Sequence, residues 1–274
     1  MKDVWNTSTE LRDERPEIAV FGIGAIEQHG AHLPVGTDWL AATAISRQVA
    51  TELDAYWLPT VPVSMSQCHG PTAGTVWLRP DTLARVVRDL VGSLHGQGFR
   101  KIVVLNGHGG NFVLEPTIQE LNLTNPSLAV VMPPAFFPRA DGEPPIFEST
   151  DPEVHAGESE TSTHLYLNPE LVKEERADGV PSVGREFLDY AFMSQVSPTG
   201  VWGHASLATA EKGRRATTRH VVNIVRWVRE AFAALGDPAS PPRPLATSGR
   251  DGEPGGAPSA PVPSSPLAIS DRAC

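Results

Sequence analysis

Cysteine is scarce in this sequence: its 274 residues contain only Cys68 and Cys274. Two such distant cysteines make no disulfide framework, so stability must come from an apolar core, and a reducing compartment is the natural setting. Long apolar runs are missing too. No stretch approaches the ~20 residues that a bilayer span requires, and residues 1–16 are charged throughout, without the apolar segment of a secretion signal. The expectation is a cytoplasmic protein with no membrane contact. Basic clusters are the third shortage. Lys and Arg number 22 against 32 Asp and Glu, a formal charge of -10, and only Lys212, Arg214 and Arg215 stand close together. Phosphate contact needs a clustered basic face, so nucleic acid is excluded as a partner. The Lys212 group reads as a solvated approach to a helix.

What is present is an alternation of strand and helix signals. The apolar run Ile18 to Gly24 ends in glycines and reads as a buried strand feeding a loop. Leu40, Ala44, Ile45, Val49 and Leu53 fall at helical spacing and predict a helix over 39–53. A second strand is expected over 56–63, where Pro59 and Pro62 place it at an edge or keep it short. Pro80 and Asp81 open a helix with the stripe Leu83, Val86, Val87, Leu90, Val91 and Leu94, closed by Gly96 and Gly98. The run 101–105 suits a strand buried on both faces. A glycine loop follows, then a helix over 112–123 with Asn111 as its N-cap. A strand over 128–132 and a helix over 214–235 complete an α/β domain. The expected organisation is an N-terminal extension (1–16), one domain (17–235) and a tail (236–274). Nine prolines and no aromatics in that tail predict disorder.

Three stretches carry chemistry. Glu27 and His29 lie two residues apart, so on an extended backbone they point the same way, and Asp38 can return after the Pro34/Gly36 turn. His108 sits among Gly107, Gly109 and Gly110 at a strand's carboxyl end, where backbone can approach a ligand closely. His155, Glu158 and Glu160 stand among small residues at the start of a helix, although a carboxylate in a first turn also simply offsets the helix dipole. Ser66 and His69, in the small-residue loop 64–75, are candidate substrate contacts with Gly109 and Gly110, and His32 reads as a supporting or packing histidine.

In this order, and with Leu207 to Gly213 after them, these stretches resemble the creatininase family of metal-dependent amidohydrolases over roughly residues 17–235. The resemblance implies a three-layer α/β/α sandwich on a mostly parallel sheet and two divalent ions at the strand ends. Zn2+ is the expected metal, with Mn2+ or Fe2+ as alternatives, and the chain is expected to be a homo-oligomer, a hexamer by the resemblance. Glu27, Asp38 and His108 would hold one ion, and His29, Asp38 and Glu160 the other. His155 would transfer the proton to the leaving nitrogen, with Glu158 orienting it. Two departures bear on substrate. Gly110 stands where creatininase proper has a glutamate ligand, and Asp151 where it has a tryptophan that closes over creatinine, which argues against creatinine itself. The leading expectation is hydrolysis of a small-molecule amide, cyclic amide or formamide by a hydroxide shared between two metals. The alternatives are a peptidase trimming a small modified peptide and a non-catalytic metal-binding scaffold.

Overall fold

The structure, a computed structural model, describes residues 1–139, 142–236 and 238. After a short helix α1 (Ser8–Glu14), apolar segments supply four strands: β1 (Ile18–Ile23), β2 (Tyr56–Val61), β3 (Lys101–Asn106) and β4 (Ala129–Val131). They pair in parallel in the order β2-β1-β3-β4. Parallel neighbours need crossovers, and α2 (Thr37–Glu52), α3 (Pro80–Gly96) and α4 (Leu114–Thr124) supply them in turn. Helices α5 (Glu158–Leu167), α6 (Met193–Val196) and α7 (Ala210–Leu235) follow.

The strands are apolar on both faces, so both are covered. Ala19, Phe21, Ile23, Ile102, Val104 and Val130 meet Leu83, Val87 and Val91 of α3 and Leu114, Ile118 and Leu121 of α4. The alternate residues Val20, Val103, Leu105, Ala129 and Val131 meet Val49 and Ala50 of α2 and Val221, Ile224, Val225 and Val228 of α7. The result is the expected three-layer α/β/α sandwich. Strand β2 lies at the edge, as its prolines require, and its outer side is met by residue 2: Trp57 N–H donates to the Lys2 carbonyl at 2.7 Å.

Three boundaries differ from the sequence reading, each for a local reason. Helix α2 starts at Thr37 and takes Asp38 into its first turn. Helix α4 starts at Leu114 because Asn111 is used elsewhere: its Oδ1 accepts from Met65 N–H (3.1 Å) and its Nδ2 donates to Asn106 Oδ1 (3.0 Å). That ties the loop after β2 to the end of β3. Helix α7 starts at Ala210, with the Thr209 hydroxyl accepting from Lys212 N–H. Lys212, expected in solvent, is therefore buried in a first turn, with its Nζ 2.6 Å from Glu158 Oε1. The disorder expected for 236–274 lies outside the described residues, apart from Gly236 and Pro238. Among the described residues no helix is long and apolar enough to cross a membrane.

Candidate metal centre

The carboxyl ends of β1 and β3 lie side by side, Ile23 opposite Asn106, so the loops leaving them arrive at one place. The β1 loop carries Glu27 and His29 and leads to Asp38, the β3 loop carries His108, and the first turn of α5 brings Glu160. Such close approach needs glycine at two points. A Cβ on Gly24 would stand 2.4 Å from Trp39 Cα, and one on Gly110 would stand 2.4 Å from His108 Nε2.

Asp38 bridges two imidazoles. Its Oδ1 is 3.1 Å from His29 Nε2 and its Oδ2 is 2.8 Å from His108 Nδ1. Glu160 Oε2 stands 3.8 Å from His29 Nε2, and Glu27 Oε2 stands 3.4 Å from His108 Nε2. Main-chain carbonyls set both rings: His29 Nδ1 donates to the Glu27 carbonyl at 3.1 Å, and His108 Nε2 to that of Met65 at 2.7 Å. His29 Nε2 and His108 Nδ1 are then the nitrogens turned to Asp38, an arrangement that orients imidazoles for metal.

Electrostatics lead to the same reading. Burial opposes charge on His29, yet Asp38 raises its pKa to about 10. Burial likewise opposes charge on His108, and Glu27 with Asp38 raises it to about 9. Burial alone would raise Asp38, but the two rings hold it well below the usual carboxylate range. Burial pushes Glu27 and Glu160 up to about 7. Three carboxylates thus draw protons onto two imidazoles, the behaviour of a cluster that attracts cations.

The donor set fits a metal pair. Glu27 Oε2 is buried with no hydrogen-bond partner, a costly state for a polar atom, and His29 Nε2 has only the Asp38 carboxylate at 3.1 Å. Ligand atoms of Glu27, Asp38 and His108 lie within 4.8 Å of one another, as do those of His29, Asp38 and Glu160. Asp38 belongs to both triads, and mixed imidazole and carboxylate donors suit zinc or manganese. Glu27, His29 and His155 form a third group of the same compactness.

His155 is buried beside this cluster. Its Nε2 donates to the Gln28 carbonyl at 2.6 Å, and its Nδ1 stands 3.6 Å from Glu27 Oε1. Burial, with His29 and His69 close by, pushes its pKa well below the ordinary value, so the ring is neutral and Nδ1 is an acceptor. Backbone pairing with Trp202 holds His155 in place. Ala156, which follows, adopts φ 51°, and its N–H donates to Glu160 Oε2 at 2.5 Å.

Glu158 does not stand beside His155. Residues two apart on a helix point ~200° apart, so with Glu160 facing the cluster Glu158 turns away. Its carboxylate accepts from Glu148 N–H (3.0 Å), Ser149 N–H (2.9 Å) and Lys212 Nζ (2.6 Å). Burial would raise its pKa, but these donors hold it below the ordinary value. It anchors a loop and α7 instead of orienting a catalytic ring.

Ser66 and His69, expected to meet substrate, are buried against the candidate ligands instead. The Ser66 hydroxyl faces Glu27, and His69 Nδ1 accepts from Gln28 Nε2 at 3.0 Å, its pKa pushed down to about 3 by burial. His32 bonds Thr161 Oγ1 at 2.9 Å. A cleft of about 670 Å3 reaches the cluster at His108 and Glu160; Gly109 lines it, with Phe112, Phe136 and Arg185 farther along its walls. Sequence reasoning passed over Gln28 and Arg185. Gln28 stands between two candidate ligands and links His69 to the Gly200 carbonyl (3.2 Å), a position its place in the motif could have suggested. Arg185 lies in a stretch without periodicity, and no sequence signal marks it.

Comparison with known proteins agrees with this geometry. The creatininase family model, described as creatinine amidohydrolase, matches residues 4–228. A mycofactocin precursor peptide peptidase of Mycobacterium ulcerans is 32% identical over 81% of this chain and 90% of its own. A creatinine amidohydrolase of Pseudomonas putida is 28% identical over 78% of this chain and 90% of its own. Among solved structures, a mutant creatininase of Zn-Zn type superposes with a TM-score of 0.69 at 25% identity, covering 84% of this chain and 98% of that one. The chain belongs to the creatininase family of metal-dependent hydrolases that act on C–N bonds.

Proposed function

We propose that this chain hydrolyses an amide, cyclic amide or formamide bond with two divalent cations, zinc or manganese, held by Glu27, Asp38 and His108 and by His29, Asp38 and Glu160. The observation that carries this reading is the pair of triads sharing Asp38, with Glu27 Oε2 buried and without a hydrogen-bond partner. Cations bound there supply Lewis acidity toward a carbonyl oxygen and acidify water. The chain's own residues do the rest. The carbonyls of Glu27 and Met65 fix which nitrogen each ligand ring offers. The Gln28 carbonyl engages His155 Nε2–H, leaving Nδ1 free to take a proton near Glu27 and return it to the departing nitrogen. The substrate enters along the cleft, passing Gly109.

A peptidase reading is favoured by one observation, a cleft of about 670 Å3, which has room for more than a five-membered ring. Asp151, where creatininase proper has its lid tryptophan, pairs with His204 at the surface (2.8 Å). The proposal includes a cytoplasmic homo-oligomer. The test is elemental analysis of metal-reconstituted protein, followed by hydrolysis assays on formamides, lactams and short peptides. Close to two metals per chain with turnover of one of these classes is expected; no bound metal after reconstitution would overturn the dinuclear reading.

A further inference from the structure

We propose that Arg185 reads a free carboxylate on the substrate, so that the preferred substrate is an acylated amino acid or a peptide whose carboxylate lies next to the scissile amide. This rests on the hydrolase reading above and narrows it. Arg185 is exposed and lines the cleft that reaches His108 and Glu160, and among the described lining residues it is the only Lys or Arg. Its Nη2 donates to the Gly109 carbonyl at 2.9 Å, which tethers the guanidinium one residue from the ligand His108. That bond occupies one of five N–H donors. No carboxylate pairs with Arg185 among the described residues: Glu115 lines the same cleft without pairing with it, and Glu153 is engaged by the N–H groups of Glu158 and Ser159. A guanidinium that is fixed, unpaired and beside the reacting centre matches the two-oxygen geometry of a carboxylate.

The rest of the cleft says what accompanies that carboxylate. Phe112 and Phe136 both line it and are 69% and 88% exposed. Aromatic side chains this open at a cleft beside one cation fit an apolar side chain attached near the anionic group. Position 109 is bound into the same device. A Cβ on Gly109 would stand 3.2 Å from Arg185 Nη2, so a side chain there presses on the guanidinium. Hydrolysis of such a substrate gives the acyl carbon a hydroxyl and the amino acid nitrogen a proton, and releases a zwitterionic amino acid.

The test uses zinc-loaded full-length protein and two substrate pairs. N-acetyl-L-phenylalanine is compared with N-acetyl-L-phenylalaninamide, and Gly-Gly-L-phenylalanine with its C-terminal amide, in wild type and in Arg185→Gln and Arg185→Lys. We expect the carboxylate member of at least one pair to be favoured in kcat/KM by about tenfold or more. The pair that shows it says whether an acylated amino acid or a peptide supplies the group. Arg185→Gln should abolish the preference through KM, and Arg185→Lys should retain part of it. No preference in wild type, or an equal loss on both members of a pair in Arg185→Gln, would overturn the assignment. If none of the four is cleaved, the hydrolase reading fails for these bonds. Calorimetric binding of L-phenylalanine against L-phenylalaninamide, in wild type and Arg185→Gln, then decides the Arg185 assignment alone.

Discussion

Two groups of buried acids flank the start of α5, and they differ in what neutralises them. Glu158, fully buried, has Lys212 and the amides of Glu148 and Ser149 as donors. Glu27, equally buried, stands 3.4 Å from His108 Nε2, which is engaged by the Met65 carbonyl, and its Oε2 has no hydrogen-bond partner. A buried carboxylate satisfied from within is architecture, whereas one left short of positive charge is a place for a cation. Glu158 and Glu160, two residues apart, fall on opposite sides of that distinction.

The sharpest way to break the comparison is Asp38→Ala, which removes the carboxylate common to both triads. Both metals should be lost, with turnover falling below detection, as read by elemental analysis and assay. Glu158→Ala should do the reverse. It takes the acceptor from the amides of Glu148 and Ser149 and leaves Lys212 with only the exposed Glu148 carboxylate (2.8 Å) and the Leu207 carbonyl (2.6 Å), so stability should drop by about 3 kcal/mol while the folded fraction keeps its metals. Denaturant unfolding combined with metal analysis checks this, and a loss of metal from folded Glu158→Ala protein would merge the two regions.

A third prediction separates holding a metal from moving a proton. Glu160→Gln should lose one of two metals. His155→Gln should keep both and near-native stability while amide hydrolysis falls by ~10²-fold, with a smaller deficit for substrates whose leaving group needs no proton. Loss of metal from His155→Gln would instead make the group of Glu27, His29 and His155 the second site.

The two regions should also fail at opposite ends of the pH scale. In metal-free protein, His29 and His108 have pKa values raised to about 10 and about 9. Their contribution to stability is complete below the ordinary histidine value of ~6.5 and is lost as pH rises through 9 to 10. Glu27 and Glu160, raised to about 7, add loss in the same direction. Glu158 is depressed, so its contribution is present above the ordinary carboxylate value and lost as pH falls through its lowered one. Metal-free protein should therefore weaken toward pH 10 and metal-loaded protein much less, as melting curves across pH will show. Metal uptake near pH 7 should release about three protons per chain, one from each ring and about one from the half-protonated Glu27 and Glu160 together, measurable by calorimetry in buffers of different ionisation enthalpy. The smallest effect belongs to an exposed control. Asp151→Asn breaks the surface pair with His204 and should change stability by no more than ~0.5 kcal/mol.

The sandwich was legible because β1, β3 and β4 are continuous apolar runs and α3 and α7 carry apolar stripes, signals that need no partner to be read. The cluster of candidate ligands was legible because Glu27, His29 and Asp38 are close in sequence and His108 is framed by glycines. What could not be read were pairings between distant residues. Lys212 looks solvated until α5 brings Glu158 against it, and Asn111 looks like a cap until Met65 N–H arrives from another loop. Arg185 gains meaning only from the Gly109 carbonyl it reaches.

The histidines of this centre are oriented by the main chain: His29 by the Glu27 carbonyl, His108 by that of Met65, His155 by that of Gln28. A carbonyl is supplied by every amino acid, so the tautomers that prepare the chemistry survive any substitution that preserves the backbone path. The cleft is different, because Phe112, Phe136 and Arg185 act through side chains that a single codon can replace. Heredity can therefore redraw what this protein accepts without disturbing how it cuts. Relatives about 30% identical to it carry names as unlike as a peptide peptidase and a creatinine amidohydrolase, the divergence such a division of labour allows.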